Sequence, residues 1–354
     1  MLKRLLIPLF LTAVVATAVV VEVVPAASSA PGTSDAGPAV ASAAAANSET
    51  AKATAAADAF LKTLTSGQRG KVVYPFSSSA KKTGWSNLPT TFVKRAGVPI
   101  TDLSSSQVAA LRKLLRLALS AQGYTQEEAI RVADQYLNEN GGGASYGQNL
   151  YYVALFGSPS TTRKWELAFG GHHLAIHITF EGAKISGTPY FVGVEPTSFV
   201  VASRSYAPMA QQSGAMVALF DSLDDSQRSA AQLSQSFDDV LLGPGQDGKF
   251  PAAQGQLVSE LSAGQQALVT KAIEAWVDNV NLPAASRLVA TYKRQYAQTR
   301  IAWSGSLDPT VQGAYFRIQG PRVWIEIVSQ PGVVFHNQVH YHSIWRDHST
   351  DYGA

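Results

Sequence analysis

The chain has 354 residues, enough for one large domain or two ordinary ones, and 46% hydrophobic content suits a chain that buries a core. Only 15% of its residues are charged, its net charge is +3, and Lys and Arg form no long run, which excludes a nucleic-acid partner. Cysteine is absent, so disulfides, thiolate metal sites and cysteine nucleophiles are excluded too, and imidazole, carboxylate and oxygen remain as metal donors.

Lys3 and Arg4 open a positive segment, and an apolar run from Leu5 to Val24 follows, interrupted by Pro8 and Glu22. Small residues from Pro25 to Ala30 then offer a cleavage site after Ala30, so residues 1–30 read as an export signal. The expected location is secreted, extracellular. The alternative is an uncleaved anchor, because the run is long enough to span a bilayer, and that segment would be the chain's one membrane contact. Residues 31–50 are Ala, Ser, Gly, Pro and Thr with little else and read as a low-complexity linker.

Order is expected from Ala51 to Leu64, where Phe60, Leu61 and Leu64 give a helical pattern ended by Gly67. Two further helices are predicted. Ser104 to Ala121 carries Val108, Leu111, Leu114, Leu115 and Leu119 at helical spacing, and Thr125 to Asn138 opens on Thr125-Gln126-Glu127-Glu128, a capping-box pattern. The period then changes. Strands are predicted at Leu150–Phe156, Lys164–Phe169, Leu174–Phe180 and Tyr190–Val194. Helices return at 207–223, 226–233, 259–279 and 284–298. A second strand block, 301–304, 314–319, 323–328 and 333–343, ends the chain. Helices and strands fall in blocks, which favours an α+β fold with antiparallel sheet regions packed against several helices, in one domain from 51 to 354.

All seven histidines lie in two short stretches, 172–177 and 336–348. His340-x-His342 lies in the last predicted strand, where alternate residues share a face, so the two imidazoles can hold one metal ion. In Gly171-His172-His173-Leu174 the parity of Leu174, Ile176, Ile178 and Phe180 marks the apolar face. His173 therefore faces the polar side with Ala175 and His177, and His172 faces the core. His177 is four residues from His173, about 13 Å along a strand, too far to share an ion. Arg317 and Glu326 fall on the polar faces of their own strands. Glu326 is a candidate ligand or general base and Arg317 a candidate binder of an anionic group; a cross-strand ion pair that only supports the sheet is the plainer reading. Trp345-Arg346-Asp347 reads as a support after the histidine strand.

The chain resembles a family catalogued as a domain of unknown function, number 3500. The resemblance rests on Trp85-Ser86-Asn87-Leu88-Pro89, Phe156-Gly157-Ser158-Pro159-Ser160, Gly171-His172-His173-Leu174, Pro189 to Pro196, Tyr315-Phe316-Arg317-Ile318 and His340-Tyr341-His342-Ser343-Ile344-Trp345-Arg346-Asp347. It spans nearly all of the chain beyond the leader and implies no reaction. His177 stands where the family pattern is expected to carry Asn, which weakens any shared role for it.

The expected function is that of a secreted metal-dependent enzyme of hydrolytic type acting on an unspecified small-molecule or polymer substrate. Zn or Cu would be held by His340, His342 and His173, with Glu326, Arg317 and His172 as catalytic candidates. The alternative is a secreted ligand- or metal-binding protein that uses the same pocket without turnover.

Overall fold

The computed structural model describes residues 38–354, with side chains from residue 44. The export-signal reading and residues 31–37 of the linker reading lie outside the described residues. From Pro38 the chain is already helical: α1 spans Pro38–Thr63, so the second part of the expected linker is helix. Alanine is the best helix former, and the small side chains of Ala46, Ala53 and Ala57 are fully buried. Composition alone had hidden that packing surface.

After α1 come α2 (Ser66–Val72), β1 (Val73–Tyr74), α3 (Ala80–Thr83), β2 (Val98–Pro99), α4 (Ser105–Ala118) and α5 (Ala121–Leu137). The first β block is β3 (Tyr152–Phe156), β4 (Trp165–Gly170), β5 (Leu174–Glu181), β6 (Lys184–Ser186) and β7 (Tyr190–Val194), followed by the hairpin β8 (Phe199–Val201) and β9 (Arg204–Tyr206). Then follow α6 (Ala210–Asp221), α7 (Asp225–Ala231), β10 (Gln256–Leu257), α8 (Ala263–Val277) and α9 (Leu282–Lys293). The chain closes with β11 (Arg300–Ser304), β12 (Tyr315–Gln319), β13 (Val323–Pro331) and β14 (Val339–Asp347). Among the described residues no helix is long and apolar enough to cross a membrane.

Two predicted boundaries moved for physical reasons. The helix expected from Thr125 starts at Ala121, because the Ser120 side chain caps it by accepting from Gly123 N at 3.0 Å. Thr125 instead bonds back to Ala121 O at 2.8 Å, inside the helix. The strand expected at 333–343 is β14, Val339–Asp347, so Trp345-Arg346-Asp347 belongs to the strand itself.

The two β blocks form one sheet of order β1-β3-β4-β5-β7-β14-β13-β12-β11-β10, antiparallel at every step except β1–β3. The join is β7 against β14, with His342 opposite Gly193 and Ile344 opposite Phe191. β7 also pairs with the start of β5, Leu174 opposite Val192. The two histidine stretches, far apart in sequence, therefore lie on either side of one five-residue strand.

The α+β fold gives the sheet two unlike faces. Val323, Ile325 and Ile327, with Phe316, Ile318, Val192, Ile176 and Ile178, pack into the core with helices α4, α6, α8 and α9. The other face is covered by the segments around Trp85 and from Leu233 to Phe250, over Ala175, Phe191, Ala302, Tyr315, Trp324 and Ile344. Strand parity puts His340, His342, Arg346, Glu326 and Arg317 on this second face.

Candidate metal centre

Three imidazoles come together here: His173, His340 and His342, with ligand nitrogens all within 4.8 Å of one another. Their exposures are 5%, 3% and 5%, so the rings are buried. His342 Nε2 lies 3.2 Å from His173 Nε2 and 3.3 Å from His340 Nε2. Two nitrogens bound to zinc at tetrahedral angles stand about 3.3 Å apart, so this spacing suits one shared ion.

The outer nitrogens fix which form the His340 and His342 rings take. His340 Nδ1 lies 2.8 Å from Pro331 O, and a carbonyl only accepts, so Nδ1 carries the proton. His342 Nδ1 lies 2.9 Å from Asp239 Oδ1, a carboxylate that likewise accepts. Both Nε2 atoms of the neutral rings then present lone pairs to each other at 3.3 Å. That contact is unfavourable without a cation between them, and a carboxylate or carbonyl behind each ring is the usual support of a metal-bound histidine. Burial, and then the neighbouring His342 ring, push His340 down to about 3, although Pro331 O works against them. His173 is held well below the usual histidine range by burial and by the His172, His342 and His340 rings. Burial would raise the Asp239 carboxyl, but the hydrogen bonds it accepts, above all from His342, hold it below the usual range.

The backbone around His173 is shaped for this meeting. His173 precedes β5 with φ 58°, in the left-handed region that a non-glycine residue occupies at a cost. Strand parity would send His172 and His173 to opposite faces. The left-handed turn instead stacks the adjacent rings at 3.6 Å. His172 Nδ1 is anchored on Asp134 Oδ1 at 2.6 Å, and Gly147 N donates to Asp134 Oδ2 at 3.0 Å. His173 N donates to Asn87 O at 3.2 Å, and Gly193 N donates to His173 O at 2.7 Å. Gly193 has to be glycine: a Cβ there would lie 2.7 Å from the backbone Tyr341 O, and 3.0 and 3.1 Å from His173 Cδ2 and His342 Cδ2.

The loop Trp85–Arg95 forms a wall of the site. The buried Arg95 guanidinium ties it down by donating to Ser86 O at 2.9 Å and Gly171 O at 3.0 Å, and also to Val93 O and Leu88 O. Burial lowers Arg95 to about 10. Asp239 comes from the opposite wall and its side chain is 45% exposed, so it links the buried rings to solvent.

The other candidates do not join this group. Both Glu326 oxygens are occupied. Leu241 N and Leu242 N donate at 2.9 and 2.8 Å, Tyr315 OH at 2.8 Å and Trp324 Nε1 at 2.9 Å. Burial still pushes its carboxyl up, partly offset by those donors. Glu326 thus anchors the covering segment, with no lone pair left for a ligand's or a base's work. Arg317 faces Glu326 in register, two strands from β14, with its guanidinium 5.1 Å from the Trp324 ring. His177 bonds Glu166 Oε1 at 2.9 Å, His336 lies 3.3 Å from Gly332 O, and His348 stacks on Phe250. Arg346 is a support, donating to Leu242 O, Gly243 O, Asp247 and Asp351. Two surface cavities, of about 320 and 570 Å³, are lined by other residues: Lys164, Arg287 and Arg322 in one, Gln126 and Tyr206 in the other.

Two members of the site were missed in the sequence. Asp134 occupies the inward stripe of α5 with Ile130, Ala133 and Leu137, and an acid on an apolar stripe was a usable signal. Asp239 lies in a segment without periodicity, and nothing nearby marks it.

Fold and site together define an α+β protein with a buried three-histidine group that could hold a metal ion. The chain belongs to the family described as protein of unknown function DUF3500, whose model matches residues 46–354. No curated protein and no solved structure matches it.

Proposed function

We propose that the chain is a metal-dependent enzyme of hydrolytic type, with Zn or Cu held by His173, His340 and His342. The observation that carries this reading is the pair of facing Nε2 atoms at 3.3 Å, each made a lone-pair donor by an acceptor behind its own ring. A zinc ion held by these three nitrogens would supply Lewis-acid activation of water. The residues do the rest. Asp239 and Pro331 O orient the rings, Gly193 makes room for them, and the segments around Trp85 and Asp239 keep bulk water out. The reading includes export, supported by Lys3 and Arg4 before the apolar run and by the small residues that follow it. The burial of the rings favours a second reading, a protein that holds the metal or a small ligand without turnover.

Metal content of untagged protein purified without chelators is the test. About one equivalent is expected, and a His340→Ala/His342→Ala double variant should lose it. A metal-free wild type after dialysis against zinc and copper would remove the site, and a metal-loaded double variant would show the ligands to be wrong. Turnover of ester, phosphoester and glycan substrates then separates the two readings: a loaded protein inert to all of them is the binder.

A further inference from the structure

Arg317 is 1% exposed, and its Nε and Nη2 have no hydrogen-bond partner among the described residues. These two atoms form one edge of the guanidinium, the edge whose parallel N–H bonds match a carboxylate. The same protein shows that edge in use. Arg322 donates through Nε to Asp347 Oδ1 at 3.1 Å and through Nη2 to Asp347 Oδ2 at 2.7 Å. Arg346 fills the equivalent edge with Leu242 O at 2.7 Å and Gly243 O at 3.1 Å.

Tyr315 OH lies close to the Arg317 guanidinium, but it donates to Glu326 Oε2 at 2.8 Å and leaves Nε and Nη2 without a partner. Glu326 is the partner of Arg317 in register, but both oxygens of Glu326 are spent on Leu241, Leu242, Tyr315 and Trp324. On the other side stands Ala302, whose methyl offers no acceptor. Two residues along the same face, Gln319 Oε1 is buried and unpartnered as well. Two cationic N–H groups left dry are costly, so the edge calls for an acceptor.

We propose that the Nε/Nη2 edge of Arg317, beneath the Leu233–Phe250 segment, binds the carboxylate of a small organic acid. The unpaired edge selects a planar two-oxygen anion over a single halide ion, and Gln319 Oε1 offers an acceptor to a donor group on the same ligand. The site lies two strands from the imidazoles, about 10 Å across the sheet, and does not depend on a metal there.

Formate is the probe, with chloride at equal ionic strength as the control. Formate should raise the unfolding midpoint of the full chain saturably, by about 5 °C at a hundred-fold excess over Kd, and chloride should not. Arg317→Met should abolish the difference. A wild-type crystal grown in formate provides a second readout should that variant fail to fold. Two ligand oxygens within hydrogen-bond distance of Nε and Nη2 support the site. Water alone at that edge, or equal responses to formate and chloride, overturns it.

Discussion

The two faces of the central sheet follow different rules. Ile325 and Glu326 are neighbours on β13, and both are fully buried. Ile325 points into the apolar core beneath the helices, where non-directional burial provides the stabilisation. Glu326 points to the face covered by loops, where four directed hydrogen bonds pin the covering segment. A helix satisfies its own backbone and needs only an apolar floor. An irregular segment carries free N–H and C=O groups and needs polar partners on the sheet beneath it. The loop-covered face is therefore rich in buried polar residues whether or not chemistry occurs there. His173, His340 and His342 stand out against that background because their inner nitrogens face one another, while Glu326, Arg346 and His177 face partners.

The largest effect should come from breaking a polar anchor. Glu326→Ala removes a buried carboxylate and strands four donors, at a cost of about 3–5 kcal/mol. Urea denaturation measures it. A loss below about 1 kcal/mol would mean that the loop-covered face is not held by directed bonds.

Acid should act on the same face. His340 takes up a proton near pH 6.5 when unfolded but only at about 3 when folded. Between those values the unfolded chain binds the extra proton, so stability falls as pH drops from 6.5 towards 3, and His173 acts in the same direction. Each such histidine contributes about 1.4 kcal/mol per pH unit to the slope. Asp239, held below its usual range, adds a loss in the same sense at still lower pH. Chelator-treated protein should therefore be markedly less stable at pH 5 than at pH 7. A flat profile over that interval would mean that the rings are not buried in neutral form.

Much of this was legible in the sequence, and the reason is periodicity. Parity along β5, β12, β13 and β14 placed His173, His342, Arg317 and Glu326 on the correct face, because strands alternate regardless of what covers them. What parity does not contain is the occupant of each lone pair. Glu326 and His173 look equally free in sequence, and only the backbone of Leu241 and Leu242 distinguishes them. The left-handed turn at His173, which stacks it on His172, likewise has no local signature, since both neighbours suit a strand. Asp239 was invisible for the same reason as the Leu233–Phe250 segment itself: irregular chain has no period to violate. The start of α1 was obscured because an Ala-rich stretch reads alike as linker and as helix until something packs on it.

The smallest expected effects give the sharpest contrast between the faces, because they exchange stability for site function. Ile325→Val deletes one methylene from the helix side and should cost about 0.5–1.5 kcal/mol in urea. It should leave metal affinity unchanged, since Ile325 touches no group of the site. Asp239→Asn keeps the shape of the side chain and sits where the chain is half open to solvent, so its effect on unfolding should be slight. An amide can still accept from His342 Nδ1, but it no longer supplies the negative charge that makes the ring a stronger donor. Metal affinity should then fall by about 10- to 100-fold. Competition for zinc against a chelating dye, with urea curves on the same preparations, reads both quantities. If Ile325→Val weakens metal binding as much as Asp239→Asn, the two faces are not separable, and the three imidazoles are a by-product of global packing rather than a built centre.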